Sequence, residues 1–293
     1  MTVIALASIK GSPGVTTAAL ALAASWPRGR RVLLVEADPF GGDLAPRYGS
    51  TITGGLGSLF AAARRTLSPD AVWDHVDQLP GGLPVLFGLS NVQGAVANEK
   101  AWPAIAEALA ALDADVVVDV GRLLPGFAGG IRDVLEHTDA LIVLCEPTLE
   151  AIVHLRAALP GLVAEMRSRQ LLIIPTGTVG YSSAEIGMTL GVAVGPPMPH
   201  DPKAAGVLAN KRSVKRLERT ALLRWASALV GALGVEELCL DEPTPVDPTA
   251  TVVPEEPEVE LFQANVEAPT QSWEPARDEA ECVGVGPKWE ARR

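Results

Sequence analysis

Five short aliphatic runs constrain this chain more than anything else in it: residues 3–8 (VIALAS), 31–36 (RVLLVE), 115–120 (DVVVDV), 140–145 (ALIVLC) and 171–175 (LLIIP). None alternates polar with apolar residues, so each reads as a strand buried on both faces. Further strands are expected at 83–87 and 192–194. Helical stretches are expected near 16–26, 55–65, 100–112, 127–137, 148–168, 183–190 and 203–233. The alternation predicts an α/β chain: an open, mostly parallel sheet of seven or eight strands with helices on both faces. Ligands of such sheets lie outside the carboxyl ends of the strands, so chemistry belongs in the loops after Ser8, Glu36 and Val120.

Charge divides the chain. Residues 1–235 carry 20 basic and 20 acidic side chains, whereas 236–293 carry 15 acidic against 4 basic and hold the whole formal charge of -11. Eight of the 24 prolines fall in that last segment. A neutral folded domain over 1–235 and a disordered, acidic, Pro-rich tail over 236–293 are expected. Trp273 and Trp289 either mark a docking motif in the tail or sit in an inert spacer.

Other classes are set aside by what the chain lacks. Cys145, Cys239 and Cys282 have no metal or redox spacing, and the four histidines are scattered. No basic segment precedes an N-terminal apolar run, and no run approaches the roughly 20 apolar residues of a membrane span. A soluble, cytoplasmic protein is expected, with no integral membrane insertion. No nucleophile elbow, zinc spacing or dinucleotide fingerprint is present.

The richest stretch is KGSPGVTT, residues 10–17, between the first strand and a helix. Such a loop aims backbone N–H groups and a positive dipole end at an anion. Gly11 and Gly14 allow close backbone approach, and Thr16 or Thr17 could place a hydroxyl on Mg²⁺. Asp38 follows the second strand in VEADPFGGDLA, and Asp119 ends the strand VVVDV before Gly121 and Arg122. A plain Gly/Pro turn with Val15 packed inward, an Asp-Pro turn and a capping aspartate are the ordinary alternatives for these three places.

In order and spacing these segments resemble the ParA/MinD-type ATPases, whose deviant phosphate loop follows KGG-x-GK-[ST]-T. Lys10, Gly11, Gly14, Thr16 and Thr17 match; Ser12 replaces a glycine and Val15 the phosphate-gripping lysine. The resemblance covers residues 1 to about 235. It implies ATP or ADP with Mg²⁺ as cofactors, cradled by Gly11, Ser12, Gly14, Val15, Thr16 and Thr17, with Thr16 and Asp119 on the metal. It further implies that Asp38 orients the attacking water, that Lys10 acts across a homodimer, and that Asp201, with Pro199 and Pro202, lies near the base. The family's adenine-contacting asparagine is missing from PTGTVG, residues 175–180.

Val15 changes the activity expected. Phosphoryl transfer is largely positioning and charge stabilisation, so loss of an ammonium should leave hydrolysis weak or absent. Pro13 removes one N–H donor as well. The resemblance therefore implies a nucleotide-linked dimeric switch that positions or assembles a larger machine, of partitioning or pilus and secretion type. Diverged members of the TadZ/CpaE kind share such departures. An active partitioning ATPase, with Lys10, Arg122 or Lys203 replacing the lysine, and a nucleotide-independent interaction protein are the alternatives.

A basic helix is expected at 211–224 (KRSVKRLERTALLR), with Val214, Leu217 and Ala221 as its apolar stripe. It could meet DNA non-specifically, a membrane surface, the acidic tail, or only solvent.

Overall fold

The computed structural model describes residues 1–11, 13–51, 54–123, 130–166, 170–213 and 215–234. Ser12, Val214 and the acidic tail lie outside the described residues.

Seven strands form one sheet: β1 (Val3–Ser8), β2 (Val32–Glu36), β3 (Asp77–Leu79), β4 (Leu83–Leu86), β5 (Asp115–Arg122), β6 (Ala140–Cys145) and β7 (Gln170–Pro175). Their order is β3-β4-β2-β5-β1-β6-β7, and all pairs are parallel except β3 with β4. The helices are α1 (Val15–Ala24), α2 (Leu44–Tyr48), α3 (Gly55–Ala63), α4 (Val92–Ala97), α5 (Trp102–Ala110), α6 (Ile131–Glu136), α7 (Leu149–Met166), α8 (Ser183–Leu190), α9 (Pro202–Leu208) and α10 (Ala221–Ala232).

The two-residue period of a strand sorts the aliphatic runs into two cores. Ala5, Val35, Val118 and Val143 face α3, α5, α6 and α7. Leu6, Leu34, Val117 and Ile142 face α1, α9 and α10. Both faces are dry, which is why the runs are continuously apolar. Among the described residues, no helix is long and apolar enough to cross a membrane.

β1 lies between β5 and β6, so the chain leaves its carboxyl end where successive connections run to opposite sides of the sheet. That switch point opens a crevice. The pairing of β1 with β5 slips there: Leu6 faces Asp119 but Ala7 faces Gly121. The irregularity re-aims the end of β5, as bulges beside functional sites do.

Two expectations need correction, and one strand appears where none was expected. The segment 192–194 is not a strand of the sheet; it makes one isolated bridge, Ile173 with Val194. The strand β3 has no aliphatic run, and antiparallel pairing with β4 creates it.

The basic helix is also not formed. α9 ends at Leu208, Asn210 and Arg216 take left-handed φ values of 57° and 64°, and regular helix resumes only at Ala221. A continuous helix would stack Lys211 on Lys215, Arg212 on Arg216 and Lys215 on Arg219, like-charge pairs that oppose helix formation. The expected stripe is not assembled: Leu217 is half-buried and Ala221 exposed, while Lys211, Arg212, Lys215, Arg216 and Arg219 are all exposed.

Candidate functional site

The loop after β1 enters α1 through Gly14, whose φ of 98° and ψ of 34° are left-handed. Among the described residues no side chain caps the helix, and its first turn holds no acidic residue. The first intrahelical bond is Ala18 N–H to Gly14 O, at 2.9 Å. The N–H groups of Val15, Thr16 and Thr17 thus precede the helical ladder and face the cleft, as an anion site requires. Gly11 and Gly14 line the cleft beside Thr16 and Thr17. Val15 also reaches the cleft rim, but its side chain is 6% exposed and packs in the core around α1. An aliphatic side chain there offers phosphate no charge.

Asp38 stands at the cleft beyond β2. Its Oδ1 accepts the Phe40 N–H at 2.8 Å, which turns the loop. Burial raises its pKa; the Phe40 N–H opposes that rise and nearby Asp43 reinforces it. Gly121 makes the arrangement possible. A Cβ there would lie 1.9 Å from Asp38 Oδ2, and its φ of 63° disfavours any other residue.

Asp119 is 1% exposed in the carboxyl half of β5, three residues before its end. Its Oδ1 accepts the Gly121 N–H at 3.0 Å, while Oδ2 is buried with no hydrogen-bond partner among the described residues. Burial drives its pKa up to about 7. The Thr16 hydroxyl and Gly121 N–H pull it down, and the Glu36 and Asp38 carboxylates push it up. An orphaned carboxylate oxygen beside a threonine hydroxyl fits Mg²⁺, a hard cation that needs only one or two protein oxygens when phosphate and water complete its shell. Among the described residues no three His, Cys, Asp or Glu side chains group as a metal site.

Glu36, which the sequence reading passed over as a strand end, organises the loop carrying Asp38. Its Oε1 accepts the N–H groups of Asp43 (2.7 Å) and Leu44 (2.8 Å), and its Oε2 that of Gly88 (2.9 Å). A Cβ on Gly42 would lie 2.3 Å from Glu36 Oε2. The legible signal was a carboxylate ending an aliphatic run, with two glycines a few residues on.

A second cleft adjoins the first through Gly14 and Thr17, and Thr176, Gly177, Met198 and Asp201 line it. The two have volumes of about 290 and 300 Å³, so the groove has room for a base beyond the phosphates. Asp201 is present but occupied: its Oδ1 caps α9 through Ala204 N–H at 3.0 Å, and its Oδ2 accepts Leu222 N–H at 3.3 Å. Lys10 is exposed, with Nζ 2.9 Å from His154 Nε2 on α7, and does not line the cleft beside Gly14. Of the cations expected to replace the lysine, Arg122 lines the cleft with Gly14 and Thr16, whereas Lys203 is exposed on α9 and lines neither cleft.

No family model matches the chain, and no curated protein does. Solved structures do. A ParA family ATPase from Chlorobium tepidum superposes with a TM-score of 0.62 at 22% identity, covering 78% of this chain and 98% of that one. A McdA variant from Cyanothece in complex with ATP gives 0.61 at 17%, covering 82% and 99%. MinD from Pyrococcus horikoshii, complexed with Mg-ADP, gives 0.59 at 16%, covering 80% and 97%. With the sheet order and the loop at its switch point, these likenesses show that the chain has the fold of the ParA and MinD ATPases.

Proposed function

We propose that the chain is a ParA/MinD-like, nucleotide-linked dimeric switch that positions or assembles a larger machine, and that it hydrolyses ATP weakly or not at all. The observation that carries this reading is the unsatisfied Asp119 Oδ2, buried beside Thr16 at the open end of α1. Unpaired buried carboxylate oxygens are costly, and one retained at such a place indicates a partner that arrives later. The N–H groups of Val15, Thr16 and Thr17 hold phosphate; Thr16 and Asp119 hold Mg²⁺; Asp38 orients a water. The metal, when bound, neutralises phosphate charge. Lys10, exposed and in contact with His154, is the group that serves a second copy in a homodimer.

Within this reading, the switch belongs to a partitioning or a pilus and secretion assembly, the latter matching the TadZ/CpaE kind in its altered loop. The burial of Val15 favours a second reading, a nucleotide-independent interaction protein that retains the fold for dimerisation.

A thermal-shift titration with Mg-ATP and Mg-ADP separates the two, using wild type and Val15→Lys. Ligand at 100 times its Kd stabilises by about 2.7 kcal/mol, or roughly 2–4 °C per kcal/mol for a domain this size. A shift in wild type supports the switch. No shift in wild type but a gain in Val15→Lys marks a degenerate site, and no shift in either rejects nucleotide binding.

A further inference from the structure

The structure leaves a gap in charge. Where the resembled ATPases place a lysine on the loop, this chain buries Val15 in the core, while Asp38 and Asp43 line the same cleft. Polyphosphate entering there meets carboxylates and needs cations from elsewhere. Among the described residues two arginines line the cleft, brought there by different elements: Arg47 on α2, and Arg122 at the end of β5.

Both have fixed bases. Glu36 pins the start of α2 through the Asp43 and Leu44 N–H groups, and the Tyr48 hydroxyl donates to Leu208 O at 2.6 Å just after Arg47. Arg122 donates Nε to Ile9 O at 3.3 Å, which holds its stem against the foot of the phosphate loop. Arg47 gives Nη2 to Asp43 Oδ2 at 2.6 Å. Its side chain is 28% exposed and Asp43's is 66% exposed, so this is a weak, replaceable pair.

We propose that Arg47 and Arg122 form a clamp for the polyphosphate of the nucleotide, taking over the charge that Val15 cannot supply. The clamp rests on the reading of the cleft as a nucleotide site. Guanidinium suits the task because its planar fork meets phosphate oxygens two at a time. Asp43 is the clamp's internal competitor: phosphate displaces it from Arg47, so the carboxylate weakens binding.

Isothermal titration with Mg-ADP and with Mg-pyrophosphate tests this on wild type, Arg47→Gln, Arg122→Gln, the double variant, Arg47→Lys and Asp43→Asn. Each Gln variant is expected to weaken both ligands about tenfold or more, the scale of a charge-assisted hydrogen bond, and the double variant more than either. Arg47→Lys should fall between wild type and Arg47→Gln. Asp43→Asn should bind more tightly than wild type, a gain that a purely structural arginine would not produce. Melting temperatures within a degree or two of wild type check that the variants fold.

If wild type binds and the double variant binds within twofold of it, the clamp is wrong and the nucleotide reading stands. Binding of pyrophosphate but not ADP, lost in the Gln variants, upholds the clamp as an anion site and overturns the nucleotide. Wild type binding neither ligand rejects both.

Discussion

Asp115 and Asp119 lie four residues apart on one face of β5, each 1% exposed, and meet opposite fates. Asp115, at the foot of the strand, accepts from Thr2 N–H (2.8 Å), Trp26 Nε1 (2.8 Å), and Arg30 Nε and Nη2 (2.7 and 2.6 Å). Burial alone raises its pKa, but Arg30, Trp26 and Thr2 outweigh burial and hold it below the usual range. Asp119, nearer the head, has only the Thr16 hydroxyl and the Gly121 N–H against burial and the Glu36 and Asp38 carboxylates, and rises to about 7. Two carboxylates equally hidden from solvent thus end differently, one in a finished ion pair and the other with an oxygen left unpaired. The compensation around a buried carboxylate, rather than its burial, separates structure from function.

The contrast can be broken most strongly at its structural end. Asp115→Ala strands Arg30, whose side chain is 19% exposed, together with the Trp26 and Thr2 donors. A loss of about 3 kcal/mol is expected in urea unfolding at pH 7, the scale of breaking a buried pair. A loss below about 1 kcal/mol would remove the ion pair from the account.

At the functional end the sign reverses. The folded pKa of Asp119 lies above its unfolded value, so its contribution costs nothing below about pH 4 and the cost grows as pH rises to about 7. Asp115 has a depressed folded pKa, so its stabilisation is present above about pH 4 and fades as pH falls. Asp119→Asn should therefore stabilise the ligand-free protein at pH 8 by on the order of 1 kcal/mol or more, the stability difference vanishing near pH 4. The same variant should lose the magnesium dependence of nucleotide binding. Equal destabilisation at pH 4 and pH 8 would contradict the charge argument.

Gly121→Ala probes how the loop carrying Asp38 meets the end of β5. The new methyl would collide with Asp38 in a left-handed backbone, and a loss of about 1–2 kcal/mol is expected by thermal unfolding. Unchanged stability would mean that Asp38 moves aside freely. The smallest effect belongs to Asp43→Asn, which breaks only an exposed i,i+4 pair and should shift stability by no more than about 0.5 kcal/mol. A larger loss would make Arg47 a structural residue.

What the sequence discloses follows from what each residue needs locally. The aliphatic strands are legible because a sheet covered on both faces leaves their composition no freedom, and Asp119 is legible because it interrupts such a run at its end. Lys10, Gly11, Gly14, Thr16 and Thr17 form a contiguous pattern. Arg47 was invisible because it lies 30 residues beyond the loop, and only the fold carries it to the cleft. Glu36 was hidden because its partners are backbone N–H groups, which have no residue identity. The break in 203–233 was missed because apolar spacing spoke for a helix; the repulsion between stacked like charges spoke against it and prevailed.

The Glu36 anchor also sets a mechanical limit. Ala37 is tied by its N–H to Asp119 O, and Gly42 by its N–H to Leu89 O, each at 2.7 Å. Only Asp38, Pro39, Phe40 and Gly41 span the interval, at most about 14 Å of fully extended chain. A bridge that short cannot sweep across a surface; it can only buckle in place. Any displacement of Asp38 is therefore handed on within two residues to Phe40, whose ring is 48% exposed. A ligand that displaced Asp38 by an ångström would tilt one aromatic side chain on the outside of the molecule.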